Sequence, residues 1–183
     1  MKLVILDRDG TINHDSDHYI KSLEEWRPIP GSLEGIARLT QAGYRVVVAT
    51  NQSGIARGLL TTRTLFEIHE HLQRAVAQAG GRIDAFFFCP HADAAGCPCR
   101  KPKPGMLQQA AHELGIDLPQ SFLVGDRWRD IAAGQAVGST CFFVAYGYDE
   151  RQPQPPFVTV KSLPEAAALI LSSTQALSST QAG

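Results

Sequence analysis

Leu3-Val4-Ile5-Leu6-Asp7-Arg8-Asp9-Gly10-Thr11 decides how the rest of this chain is read. Leu3 to Leu6 form an unbroken apolar run, the signature of a short buried strand. Asp7 and Asp9 follow just past its end, and Gly10-Thr11 suits a tight turn. In an open parallel sheet, ligands bind beyond the carboxyl ends of the strands. Two carboxylates held there repel each other, and a cation between them offsets the repulsion.

Outward from this strand, helices and strands alternate. Asn13 to Pro30 is polar and aperiodic, with Tyr19 and Trp26 as aromatic anchors, and reads as a long loop over the strand ends. Ser32 caps a helix to about Ala42, stopped by Gly43. Tyr44 to Ala49 is a β-branched second strand, ending in Thr50-Asn51-Gln52-Ser53-Gly54. A helix opens at Thr61 or Thr62 and runs to about Ala79, and Ile83 to Phe88 is a third strand. Cys89 to Cys99 is irregular. Pro104-Gly105 leads a helix to Gly115, and Ser121 to Gly125 is a strand with Asp126 at its end. A short helix from Asp130 to Val137 and a strand from Thr140 to Val144 follow. Arg151 to Pro156 is a Pro- and Gln-rich surface loop, and Pro164 to Leu171 is a last helix. The repeat Ser-Ser-Thr-Gln-Ala in 172–183 lacks apolar content and reads as a disordered tail. The expected fold is α/β: a three-layer, Rossmann-like parallel sheet flanked by helices, in one domain over residues 1–171.

The chain has 183 residues, enough for one domain with a sizeable core, and a formal net charge of −1. No basic cluster stands out, so nucleic-acid binding has no electrostatic support. No stretch approaches membrane-spanning length. Lys2 and a short apolar run are too little for a signal peptide, which places the expected location in the cytoplasm. A monomer is expected. In a reducing compartment the four cysteines read as ligands or core residues rather than disulfides.

Several strand ends thus present polar groups on one rim: Asp7 with Asp9, Thr50 with Asn51, and Asp126. Arg100-Lys101-Pro102-Lys103-Pro104 supplies cations. Phosphoryl transfer to a carboxylate needs such parts. A phosphate dianion repels a carboxylate nucleophile, so a lysine and a divalent cation must offset the charge. Mg²⁺ suits oxygen ligands shared with substrate phosphate. Thr50 and Asn51 supply donors for the equatorial oxygens, and a second carboxylate serves the leaving alkoxide and then water.

Cys89-Pro90-His91 and Cys97-Pro98-Cys99 make a C-x-H and C-x-C pair. Three thiolates and an imidazole fit tetrahedral Zn²⁺ with no open position, hence a structural site. Such a loop, rich in Pro, Ala and Gly, needs a staple to hold a shape. Cys141, in a strand, reads as an inert core thiol.

Asp7-Arg8-Asp9-Gly10-Thr11, Thr50-Asn51, Lys101 and Gly125-Asp126 resemble the four motifs of the haloacid dehalogenase superfamily of phosphatases, in that family's order. The resemblance implies that Asp7 is the nucleophile and Asp9 the general acid and base. It implies that Asp7, the backbone carbonyl of Asp9 and Asp126 bind Mg²⁺, with Asp130 either an outer ligand or a helix cap. Lys101 takes the motif's lysine by register, with Lys103 as its rival. The gaps Asp9 to Thr50 and Ser53 to Lys101 leave no room for an inserted cap domain, so the site is expected to be open. The cysteine loop joined to Arg100-Lys101-Pro102 is similar to two groups within the superfamily, one acting on a heptose bisphosphate and one on histidinol phosphate. Thr50 to Gly58 looks like the heptose group. The substrate implied is a small sugar bisphosphate. Asp15, Ser16, Asp17, His18, Thr50, Asn51, Gln52, Ser53, Arg100, Lys101 and Arg127 are implied as substrate-binding, with Arg100 facing the phosphate that does not react. A module that binds phosphosugars without catalysis is the reading from another class.

Overall fold

A computed structural model describes residues 2–180, with side chains through residue 173. Its strands are β1 (Leu3–Leu6), β2 (Arg45–Asn51), β3 (Ala85–Cys89), β4 (Phe122–Gly125), β5 (Thr140–Val144) and β6 (Val158–Val160). All pair parallel in one six-stranded sheet, in the order β3-β2-β1-β4-β5-β6. The helices are α1 (Ser32–Gln41), α2 (Thr62–Gln78), α3 (Gly105–Leu114), α4 (Trp128–Ala136) and α5 (Leu163–Thr180).

Strand alternation divides the core between the two faces. Val4 and Leu6 of β1 join Val46, Val48, Val124, Phe142 and Val144 in a cluster covered by α1, α2 and α5. Leu3 and Ile5 join Val47, Ala49, Leu123, Cys141 and Phe143 in a second cluster under α3 and α4. Strands buried on both faces read as continuous apolar runs, which is why β1 and β2 lack a polar side. Central β1 lies between β2 and β4, so Asp7 leaves the sheet between Ala49 and Gly125. The chain departs in opposite directions from β1 across this point, the place where such sheets bind ligands.

The expected three-layer parallel sheet is present, with differences in detail. Gly31, not Ser32, caps α1; the Ser32 hydroxyl is drawn inward, 2.6 Å from the Ile12 carbonyl oxygen. Thr61 caps α2, accepting from Thr64 N at 3.1 Å. β2 runs on to Asn51, and α4 starts earlier than expected, at Trp128. β6 was not expected: three residues behind a Pro-rich loop carry too little pattern to read, and β5 supplies their hydrogen-bond partners. α5 continues past Leu171 to Thr180, through a stretch read as disordered, because Ala, Gln and Leu let a helix add one bond per residue. Residues 181–183 of that stretch lie outside the described residues. Trp26 is buried against this core and pins the 13–30 loop, in which Leu23–Glu25 makes a 3-10 turn. No separate cap domain is inserted among the described residues. No helix among them is long and apolar enough to cross a membrane.

Candidate active site

The site is built where β1, β2 and β4 end. Gly10 turns the chain after Asp9 at φ +83°, and a Cβ there would clash with Asp126 Oδ2. Only glycine gives both the left-handed turn and the space for that carboxylate. Asp7, Asp126 and Asp130 are buried and bring carboxylate oxygens within 4.8 Å of one another. Burial, then the Asp130 charge, push the Asp7 carboxyl up to about 7, against the opposing pull of Lys101. Burial, then the charges of Asp7 and Asp130, push Asp126 up to about 9. Asp126 Oδ1 is buried with no hydrogen-bond partner. Crowded carboxylates with an orphaned oxygen are the donor set of an oxygen-loving divalent cation, so these residues fit Mg²⁺.

Lys101 reaches this cluster from the loop after β3. Its buried ammonium lies 2.8 Å from Asp7 Oδ1, 2.6 Å from Asp130 Oδ1 and 2.6 Å from the Ala49 carbonyl oxygen. Burial lowers its proton affinity, but the two carboxylates outweigh that and hold it charged. Lys103 instead donates to Gly96 O from an exposed position, so Lys101 is the lysine beside Asp7. Arg127 is the N-cap of α4; Asp130 caps it from the third helical position, accepting the Arg127 N–H at 2.9 Å, and also pairs with Lys101.

Asn51 lines the cavity and has a second task besides the expected one of phosphate donor. Its Nδ2 donates to Lys101 O and its Oδ1 accepts from Lys101 N, both at 3.0 Å, so its amide positions the lysine. Thr50 stays buried at the rim and accepts from Gln52 Nε2 at 2.9 Å. Gln52 Nε2 also reaches Asp9 Oδ2 at 2.9 Å. Arg8 donates through Nε to Asp9 Oδ1 at 2.9 Å, and Asn13 donates to the same oxygen at 2.9 Å. Burial raises Asp9, but the Arg8 guanidinium and these hydrogen bonds outweigh it and hold the carboxyl below its usual range. Arg8 itself is wholly buried, with Nη1 3.3 Å from His69 Nε2.

A cavity of about 330 Å³ opens above these groups. Asp7, Asp9, Asp15, Ser16, Asp17, Thr50, Asn51, Gln52, Ser53, Arg100, Lys101 and Arg127 all line it. His18 does not: it is exposed and faces a separate depression with Lys21 and Glu25, because the turn at Ser16 to Tyr19 points it outward. Arg100 lies at the rim, paired with Asp93 and donating to His91 O at 3.3 Å. Arg127 is engaged by Asp15 and Glu150. Tyr19, Ile20, Arg57, Asp93, Arg129 and Asp130 also line the cavity. Arg129 and Arg8 escaped the sequence reading. For Arg8 a signal existed: strand parity sets it opposite Asp7 and Asp9, under α2.

Cys89, His91, Cys97 and Cys99 converge next to this loop, with touching ligand atoms 3.1 to 3.5 Å apart. Tetrahedral Zn–S bonds of ~2.3 Å would place sulfurs about 3.8 Å apart, so the set fits Zn²⁺ after slight expansion. None of the cysteines is in a disulfide. Cys141 is buried and burial pushes its thiol up to about 12, as befits an inert core residue.

Residues 98–166 match the model of the HAD-hydrolase-like family. The D-glycero-beta-D-manno-heptose-1,7-bisphosphate 7-phosphatase of Bordetella bronchiseptica is 53% identical over 147 residues, covering 80% of this chain and 82% of that protein. The protein of that name in Pseudomonas putida is 53% identical over 151 residues, covering 82% and 86%. A crystal structure of D,D-heptose 1,7-bisphosphate phosphatase from B. bronchiseptica, complexed with magnesium and phosphate, superposes with a TM-score of 0.90 at 46% identity, covering 94% of this chain and 99% of that one. With this motif geometry and these relatives, the chain belongs to the HAD-like hydrolases, within the family of heptose-1,7-bisphosphate 7-phosphatases.

Proposed function

We propose that the chain removes the 7-phosphate of D-glycero-D-manno-heptose 1,7-bisphosphate, in the synthesis of nucleotide-activated heptose for lipopolysaccharide or surface-layer sugars. The observation that carries this is the meeting of Lys101, delivered by the Cys/His loop, with Asp7 at 2.8 Å in a buried carboxylate cluster. The relatives named above support the substrate.

Asp7, Asp126 and the backbone carbonyl of Asp9 would hold Mg²⁺, which supplies charge neutralisation for the phosphate when bound. The Asp7 carboxylate attacks phosphorus, and the bond from phosphorus to the C7 oxygen breaks. Asp9 gives the departing alkoxide its proton. Water then attacks the aspartyl phosphate, Asp9 takes its proton, and inorganic phosphate leaves with Asp7 restored. As it stands, Asp9 is ionised and both its oxygens accept hydrogen bonds, so it takes up a proton from solvent as substrate enters, gives it to the alkoxide, receives one from the attacking water and returns that one to solvent. Lys101 holds Asp7 in place and offsets the incoming charge. Thr50, at the cavity wall, donates its hydroxyl to the transferring phosphoryl group. Arg100, Asp15, Ser16, Asp17, Gln52 and Ser53 bind the sugar and the phosphate that stays.

Cys89, His91, Cys97 and Cys99 would hold Zn²⁺, which would staple the loop that presents Arg100 and Lys101. The chain acts as a cytoplasmic monomer, and light scattering on a sizing column tests its mass in solution. Asp9 and Asp126 both being present tells against a module without catalysis. The deciding assay follows phosphate release across sugar phosphates, sugar bisphosphates and histidinol phosphate. Preference for another member of that panel would overturn the substrate.

A further inference from the structure

Tyr148 stands on the loop leaving the carboxyl end of β5, beside the strand that ends in Asp126. Gly147, at φ +74°, turns the chain so that Tyr148 folds back toward the site. The Tyr148 hydroxyl donates to Asp126 Oδ2 at 3.0 Å. Arg127 covers the ring, its Cζ 3.7 Å from the ring centroid, and sets Nε 3.6 Å from the same Oδ2. Arg127 is itself tied at Nη2 to Asp15, 2.8 Å away, and at Nη1 to Glu150, 3.2 Å away. The ring therefore has little freedom to swing. The carboxylate of Asp126 is divided: Oδ2 is held, while Oδ1 is buried without a partner.

We propose that Tyr148 is a positioning residue that pins Asp126 Oδ2 and so aims Oδ1 at the metal. The inference rests on the reading of Asp126 as a Mg²⁺ ligand. A buried carboxylate oxygen without a donor is costly unless a cation meets it. Without the tyrosine hydroxyl, the carboxylate turns about its Cβ–Cγ bond and no single oxygen is presented. Groups that hydrogen-bond a metal ligand typically contribute roughly 10- to 100-fold to metal affinity. Phenylalanine at this position keeps the ring and its stacking on Arg127, so Tyr148→Phe isolates the hydroxyl.

The test is calorimetric titration of the full chain with MgCl₂ alone, without substrate, for wild type, Tyr148→Phe and Asp126→Asn. Tyr148→Phe should bind Mg²⁺ about 10-fold more weakly or worse. Its metal-free melting temperature should match wild type, and saturating Mg²⁺ should restore its turnover with an unchanged KM for the sugar bisphosphate. Wild-type Mg²⁺ affinity in Tyr148→Phe, beside lost affinity in Asp126→Asn, overturns the positioning role and leaves the metal site standing. Wild-type affinity in Asp126→Asn overturns the metal site itself, and Tyr148's role with it. Gly147→Ala gives a second route, since a Cβ strains that left-handed turn and displaces Tyr148. It should weaken Mg²⁺ binding in the wild-type background and add no loss to Tyr148→Phe; additive losses overturn the proposal.

Discussion

Lys101 Nζ lies 2.8 Å from Asp7 Oδ1, and the two residues are 94 positions apart in the chain. The contact closes only because β1 and the loop after β3 deliver both side chains to one rim. Burial and the Asp130 charge still leave Asp7 raised to about 7 against the pull of Lys101, while Asp130 and Asp7 together keep Lys101 charged against its burial.

Asp7→Asn should abolish turnover while leaving the fold intact, since the amide keeps the shape but is no nucleophile. Asp9→Asn should slow turnover by roughly 10²-fold or more, the usual contribution of a general acid or base. Rapid-quench detection of phosphate on the protein checks the order of steps. Near-normal turnover in Asp7→Asn would rule out the covalent route.

Arg100→Ala should raise KM for the heptose bisphosphate steeply and barely change KM for p-nitrophenyl phosphate, which has no second phosphate to place. Asp93 neutralises Arg100 at the rim, so Asp93→Asn should lower KM for the bisphosphate. Following each phosphorus signal by NMR shows which ester breaks. Equal KM losses on both substrates would instead give Arg100 to the reacting phosphate or to the fold.

Freshly purified, reduced protein should contain about one Zn²⁺ per chain by elemental analysis. Cys97→Ser should lower the melting temperature and the turnover together, because the loop it staples carries Lys101. Added Zn²⁺ should not replace Mg²⁺ in turnover, since the two ligand sets differ in softness. A zinc-free protein with full activity would contradict the staple.

His69 should make stability fall in acid. Its ring stacks on Phe86 at 4.5 Å between centroids, and burial, then the Arg8 charge, push it down to about 3. The unfolded ring titrates near ~6.5, so between these values the unfolded chain binds more protons. The contribution is complete above pH ~6.5 and is lost as pH falls toward 3, by up to about 1.4 kcal/mol per unit. His69→Gln removes the titration and keeps an acceptor for Arg8. Urea melts at pH 7 and pH 4.5 should show wild type losing about 2 kcal/mol more than the variant. Parallel losses would place the acid sensitivity elsewhere.

What the sequence determined by itself was carried by local pattern. The apolar runs of β1 and β2, the helical spacing of α2 and the turn glycines are set within a few residues, so the alternation and the parallel sheet were legible. The motif aspartates, Lys101 and the Cys/His spacing were legible for the same reason, because ligand chemistry restricts residue type and separation. The tertiary structure alone decided what depends on distant partners. That Asn51 also grips the backbone of Lys101, 50 positions on, is visible only in the fold. His18 reads as a site residue until the turn at Tyr19 faces it to solvent. Arg8 has no assigned role within its motif until α2 buries it against His69. Tyr148 has no local signal at all, and its meaning comes from β5 lying beside β4. Hydrogen bonds of this kind join side chains through space, and chain order near each residue carries no record of which partner arrives.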